Sequence, residues 1–265
     1  MPFTPSHAVV ALPFAHSVPG LSAAVAVGAM TPDLPLFIRR LPVTYAMTHS
    51  WSWLPLTVVL AAALLALWWM VLRPAVRELS PKPLAERMPA EWDGRVGLAR
   101  PLVAVPILIL GLAIGVATHI AWDGFTHEGR PGVVALGWDA LWGPLPAYKW
   151  MQYGSSVVGL AVLALAAGLW LRPRLRSHVA RALPEVVRIV WWLSLPVALA
   201  AASAVGLVAM GPLTPRFTAQ HLAYRVLPPA VALWALFSVG LCVAVQVRRR
   251  ALAVAARAGA EGRSA

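Results

Sequence analysis

His119, Asp123 and His127 follow one another at four-residue intervals in His119-Ile-Ala-Trp-Asp123-Gly-Phe-Thr-His127. Side chains four apart on a helix stack on one face, so this row aims two imidazoles and a carboxylate at one ion or ion pair. Donors of the same types recur far away in the chain: His7 in Thr4-Pro5-Ser6-His7, Asp33 in Thr31-Pro32-Asp33 and His49 in Thr48-His49-Ser50. Each also has a local reading. His7 can cap a helix, Asp33 can serve a turn or an N-cap, His49 can be an interfacial residue beside Trp51 and Trp53, and His119 with Asp123 can be a hydrogen-bonded helix pair. Taken jointly, the six make a metal site the expectation. Imidazoles with one or two carboxylates suit Zn(II), and Mn(II) or Fe(II) accept the same ligands, with one or two ions bound. An ion with an open position would hold water and lower its pKa toward neutrality. Asp33 or Asp123 would then bridge two ions or act as base, with a second ion or Arg130 stabilising charge on phosphoryl oxygens.

The elements that must position these residues are membrane helices. With 60% hydrophobic and 12% charged residues and a mean hydropathy of +0.72, the chain is too apolar for an ordinary soluble domain. Leu54 to Leu72, Pro101 to Thr118, Met151 to Leu171, Ile189 to Met210 and Val226 to Val247 contain no Asp, Glu, Lys or Arg, and each has about the length that crosses a hydrocarbon core. Trp51, Trp53, Trp68, Trp69, Trp122, Trp170, Trp191 and Trp192 lie toward the ends of these runs, at headgroup level. Residues 5–16 and 20–30 are each too short to span, and Ser17-Val18-Pro19-Gly20 breaks them apart. They are expected to form a helical hairpin that brings His7 back to Asp33 and leaves His16 at the far tip; a single spanning helix would separate His7 from Asp33 by the membrane thickness. The fold class expected is thus all-α, a polytopic bundle of about five transmembrane helices plus an N-terminal hairpin. It forms one membrane domain, with 1–50 carrying the hairpin and ligand loops, 51–160 the first spans and the His/Asp row, and 161–265 the last spans and a basic tail.

The net charge of +12 is distributed for topology. Arg73, Arg77, Lys82, Arg87, Arg95 and Arg100 follow the first span. Arg172, Arg174, Arg176, Arg181 and Arg188 follow the third, and Arg248, Arg249, Arg250, Arg257 and Arg263 follow the last. These are 16 of the 22 basic residues, so the positive-inside rule puts those loops and the C-terminus in the cytoplasm and the His/Asp residues on the other face of the cell membrane. No aromatic or motif pattern accompanies the arginines, so a nucleic-acid partner is not expected. Cys242 is the single cysteine, which excludes disulfides and Cys-based zinc or redox pairs. No cleavable signal peptide is expected, since Lys and Arg are absent before the first apolar stretch.

The blocks MPFTPSHA, TPDLPLF, THS and HxxWDxFTH, followed by YKWMQYGSS, resemble an uncharacterised family of bacterial integral-membrane proteins over most of residues 1–160. The order of His and Asp is also similar to membrane-bound metal-dependent hydrolases. More distantly it resembles the zinc-dependent phospholipase C and single-strand nuclease superfamily, all-helical enzymes in which a zinc cluster cleaves phosphodiesters. The resemblance implies that His7, Asp33, His49, His119, Asp123 and His127 are metal ligands. It departs in having Met1 where that pattern uses the amino group of an N-terminal Trp, and in lacking a later HxxxE. One or two ions are therefore expected rather than three, with Glu128, Asp139 and His221 open as further ligands. The function implied is a membrane-bound metal-dependent hydrolase whose substrate is a lipid headgroup or lipid-linked phosphoester, with membrane lipids as partners. The competing expectation is a non-catalytic membrane protein with a structural metal or hydrogen-bond knot, which would have a closed shell. A transporter is disfavoured, because the polar row sits at span ends and no repeat is evident.

Overall fold

Proline and glycine decide where the apolar runs start, bend and return. In the computed structural model residues 3–38, 42–94 and 104–264 are described. Met1, Pro2, Arg39, Arg40, Arg95, Arg100, the Pro101 start of the second expected span and the side chain of Arg263 lie outside them. Helix accounts for 77% of the chain, and the only ladder among the described residues pairs Leu141–Trp142 with Leu145–Pro146. The class is all-α.

Among the described residues five helices are long and apolar enough to cross a membrane: Trp51–Leu79, Ala104–Thr126, Ala147–Leu171, Glu185–Met210 and Ala219–Ala258. The short N-terminal helix Leu21–Met30 is α1, and the five long ones are α2 to α6 in chain order. All five expected spans recur, each lengthened at one or both ends. α3 continues to Thr126, so His119 and Asp123 stand on the span itself. α2 passes through a π-helical turn at Trp68–Leu72 immediately before Pro74. Proline cannot donate to the preceding turn and its ring crowds the carbonyl four residues back, and a widened turn relieves both.

The chain forms two compact units. The first comprises Met1–Pro35, Arg40–Ala66 and Gly97–Pro173. Its N-terminus is the expected hairpin. The first arm, Thr4–Phe14, is a 3-10 helix carrying Pro13 within it, and the second is α1, entered through Gly20 at φ 90°. That left-handed conformation is open to glycine at no steric cost and would strain a residue with a Cβ. His16 is exposed at the tip.

α1 lies against α3 with almost no side-chain spacer. Ala24, Val25, Gly28 and Ala29 of α1 face Leu108, Gly111, Leu112, Gly115 and Val116 of α3. A Cβ on Gly28 would run into the backbone of Leu112, and one on Gly115 into the backbone of Val25, Gly28 and Ala29. Small residues four apart are what let two membrane helices approach to backbone contact.

The second unit comprises Leu36–Arg39, Leu67–Val96 and Arg174–Ala265. Here α5 and α6 pack together, with Trp191 stacked on Trp234 at 5.3 Å. Arg77, expected in the loop after the first span, sits with Glu78 on the last turns of α2, and the two are 1% and 0% exposed. They are buried because they are paired. Arg77 bonds Asp93, while Glu78 accepts from the backbone N–H groups of Ala182 (2.9 Å) and Leu183 (3.1 Å) and faces Arg188 and Arg249, each at 3.4 Å. An unpaired carboxylate in that place would be costly. Part of the basic excess is thus structural.

Candidate metal centre

The site lies wholly in the first unit and is assembled from four stretches of chain. His119 and Asp123 come from the inner stripe of α3, which continues the buried series Leu108, Leu112, Gly115 and Val116. Asp33 ends the 3-10 turn Thr31–Asp33 that follows α1 directly. His49 closes a single turn, Tyr45–Thr48, capped by the Thr44 hydroxyl and docked by the Thr48 hydroxyl, which donates to the Pro32 carbonyl at 2.7 Å. His7 lies in the first hairpin arm.

These five residues are all buried, at 0–6% exposure. His49 Nε2 lies 3.1 Å from His119 Nε2, 3.6 Å from Asp33 Oδ1 and 3.3 Å from Asp123 Oδ2. His119 Nε2 is 3.7 Å from Asp33 Oδ1 and 3.5 Å from Asp123 Oδ2. Five edges between four donors therefore run from 3.1 to 3.7 Å. A tetrahedral Zn(II) site with metal–ligand bonds of about 2.0–2.1 Å has edges of about 3.3–3.4 Å.

The protons are placed by the backbone. His119 Nδ1 is 2.7 Å from the Ala29 carbonyl and His49 Nδ1 is 3.0 Å from the Tyr45 carbonyl. A carbonyl only accepts, so each Nδ1 carries a hydrogen and Nε2 is the nitrogen each ring turns inward. Two lone pairs and two carboxylates converging out of water repel one another unless a proton or cation lies among them. Asp33 is further fixed by the Thr4 hydroxyl, which donates to Oδ2 at 2.6 Å.

His7 stands beside this set. Its ring stacks on His119 with centroids 4.0 Å apart, and its Nε2 faces Asp123 Oδ1 at 3.8 Å. His7 Nε2, Asp33 Oδ1 and Asp123 Oδ1 are all buried without a hydrogen-bond partner. Two three-residue ligand groups result, His7/His119/Asp123 and Asp33/His49/His119, and His119 belongs to both.

His127, the third member of the row, stands apart. It lies just beyond the last residue of α3, and eight residues carry a side chain about 80° round a helix from where it began. Its Nδ1 turns back to the Asp123 carbonyl (3.3 Å) and lies 3.5 Å from Asp123 Oδ2. Its Nε2 lies near the amide of Gln152 at 3.5 Å. Of the further ligands left open, Glu128 accepts from Tyr148 Oη at 3.3 Å. His221 lies in the second unit on the first turn of α6, where its Nδ1 accepts from Thr218 N at 3.2 Å. The supporting residues Thr4, Thr48 and Gln152 were not singled out from sequence. The Gly111-Leu-Ala-Ile-Gly115 spacing was the available signal that a backbone would close on α3 just before His119.

Burial, with the charge of His119 second, lowers the His7 imidazole to about 4, and burial likewise lowers His127 to about 4. His49 moves the other way: burial would lower it, but Asp123 and Asp33 outweigh that and raise it above 6.5. Between about 6.5 and 4 the unfolded chain binds protons that folded His7 and His127 do not, so the metal-free protein loses stability as pH falls through that window. The His49 contribution has the opposite sign, present below about 6.5 and lost as pH rises through its raised pKa. The metal-free protein in detergent should therefore melt at its highest temperature near pH 6.5 and progressively lower toward pH 4. A melting temperature climbing steadily into acid would contradict these burial assignments.

Fold and site together define an all-α membrane protein with a buried His/Asp cluster joining an N-terminal hairpin to its second long apolar helix. A family described as a domain of unknown function (DUF4184) matches residues 1–245, and the chain belongs to that family. The match runs well beyond residues 1–160 and takes in α5 and most of α6. No curated protein and no solved structure matches the chain.

Proposed function

We propose that this protein is a membrane-embedded metal-dependent hydrolase acting on a phosphoester or lipid headgroup, with Zn(II) as the favoured ion. The observation that carries the reading is the pair of orphaned atoms His7 Nε2 and Asp123 Oδ1, 3.8 Å apart beside the four-donor set. Asp33, His49, His119 and Asp123 hold the first ion. Asp123 Oδ1 and His7 then offer a second position with few protein ligands, where solvent or substrate completes the shell. The basic loops argue for a site on the non-cytoplasmic face.

An ion at such an open position lowers the pKa of a bound water toward neutrality. In the reaction proposed, the water oxygen forms a bond to phosphorus and the P–O bond to the alcohol breaks. The proton given up by water passes through a carboxylate, Asp123 or Asp33, to the departing oxygen. Burial of these groups strengthens each electrostatic interaction.

A second reading is favoured by a different observation: Asp33, His49, His119 and Asp123 are all buried with their donors converging out of water, as the ligands of a structural ion do. Assay of metal-replete, chelated and re-metallated protein on phosphomonoester, phosphodiester and phospholipid substrates separates the two. The expected result is turnover that chelation removes and Zn(II) restores. His7→Ala should keep the metal of the four-donor set while slowing turnover about 10- to 100-fold. Bound metal without turnover on any substrate would reject the hydrolase and leave the structural ion.

A further inference from the structure

A cavity of about 510 Å³ opens beside His7, between the first hairpin arm, α3 and α4. Its lining contains no Asp, Glu, Lys or Arg. Val10, Trp122, Phe125, Val158 and Val162 make much of its wall, and the ring of His7, stacked on His119, forms part of it. Measured along α3 from Thr118 to Phe125, the cavity is about 10 Å long. The volume falls within the about 300–1,000 Å³ typical of ligand pockets.

The opening is set in an apolar surface. Both long helices that line it are apolar enough to span a membrane, and Trp122, Phe125, Val158 and Val162 are 37–61% exposed. In a bilayer Val158 and Val162, in the middle of α4, meet hydrocarbon. A small hydrophilic substrate would find no charged partner there, whereas an acyl or isoprenoid chain would exchange one hydrocarbon contact for another.

We infer that the cavity receives the hydrocarbon chain of an amphiphilic lipid from the side, between α3 and α4, with the lipid's polar head lying toward His7 and Asp123. The inference rests on the hydrolase reading and names its substrate class: a membrane lipid rather than a water-soluble phosphoester. Trp122 Nε1, which donates to Ser155 Oγ at 3.3 Å, ties the two helices beside the opening. Val157, on α4 but outside the lining, is 68% exposed and supplies a matched control.

The test uses full-length protein in phosphatidylethanolamine/phosphatidylglycerol vesicles doped with a phospholipid carrying a diazirine at mid-chain. Adducts are mapped by mass spectrometry, and metal content is measured on the same samples. Adducts should concentrate on residues 118–125 and 155–162. Val158→Trp, and independently Val162→Phe, should lower them about tenfold with metal content unchanged, while Val157→Trp leaves them intact. A tenfold excess of a chainless phosphodiester should not compete. Labelling no denser there than on α5, or undiminished by both filling variants, overturns the inference even when metal is bound. Cavity labelling in protein that binds no metal would instead overturn the metal reading and leave a lipid-binding cavity.

Discussion

Protein purified with His119 and Asp123 both replaced by alanine should contain metal only at background, where the wild-type protein carries one to two equivalents. His119 is shared by both three-residue ligand groups, and Asp123 turns one oxygen on the His49/His119 pair and the other on His7. The His7/His119/Asp123 group therefore loses two members and the Asp33/His49/His119 group one. Apparent zinc affinities in small structural sites are about 10–16 kcal/mol, so losing half of a four-donor shell should move binding out of the range that survives purification. Elemental analysis of the two proteins side by side is the measurement, and equal metal in both would remove the site. His127→Ala is the matched comparison: its ring is turned on the Asp123 carbonyl and Gln152, and its loss should leave the metal in place. Added metal should raise the wild-type melting temperature, by mass action on the folded state, and leave that of the double variant unmoved.

Gly115→Leu should be as damaging although Gly115 carries no donor. Its Cβ would collide with the backbone of Val25, Gly28 and Ala29, and backbone cannot step aside as a flexible side chain can. α1 would have to lift from α3, taking with it the Ala29 carbonyl that orients His119 and the Thr31–Asp33 turn behind it. Overpacking of this kind costs about 1–3 kcal/mol and occasionally more. Here the expected signature is loss of both the melting transition and the bound metal. Gly154 of α4 has no neighbour within 4 Å of where a Cβ would stand, so Gly154→Ala should stabilise slightly or do nothing. Retention of full metal content by Gly115→Leu would mean that the close approach of α1 to α3 does not position the site.

Much of this architecture was legible residue by residue. Runs such as Ile189 to Met210 have no charged side chain to compete with burial in hydrocarbon, so their helices follow from composition and length. The hairpin followed from Pro19-Gly20 between two segments too short to span. The six donors were legible by type, and five of them do meet. His127 enters the row by spacing and by the resemblance, and just beyond the helix end at Thr126 its ring meets Asp123 but belongs to neither three-residue ligand group. The sequence places Arg77 in the loop after the first span, whereas it stands on the last turns of α2, paired with Asp93.

What the chain alone supplies, then, is local: hydrophobic length, breaks at proline and glycine, and the chemical identity of the donors. These depend on side chains and near neighbours, whose energies do not need the rest of the fold. The meeting of His7, Asp33, His49, His119 and Asp123 was left to packing. It depends on Gly28 and Gly115 admitting backbone against backbone, and on the Ala29 and Tyr45 carbonyls holding two imidazole protons so that both Nε2 atoms face inward. Apart from the local bond of His49 to Tyr45, those are contacts between segments tens of residues apart, and their geometry exists only once the helices have closed on one another.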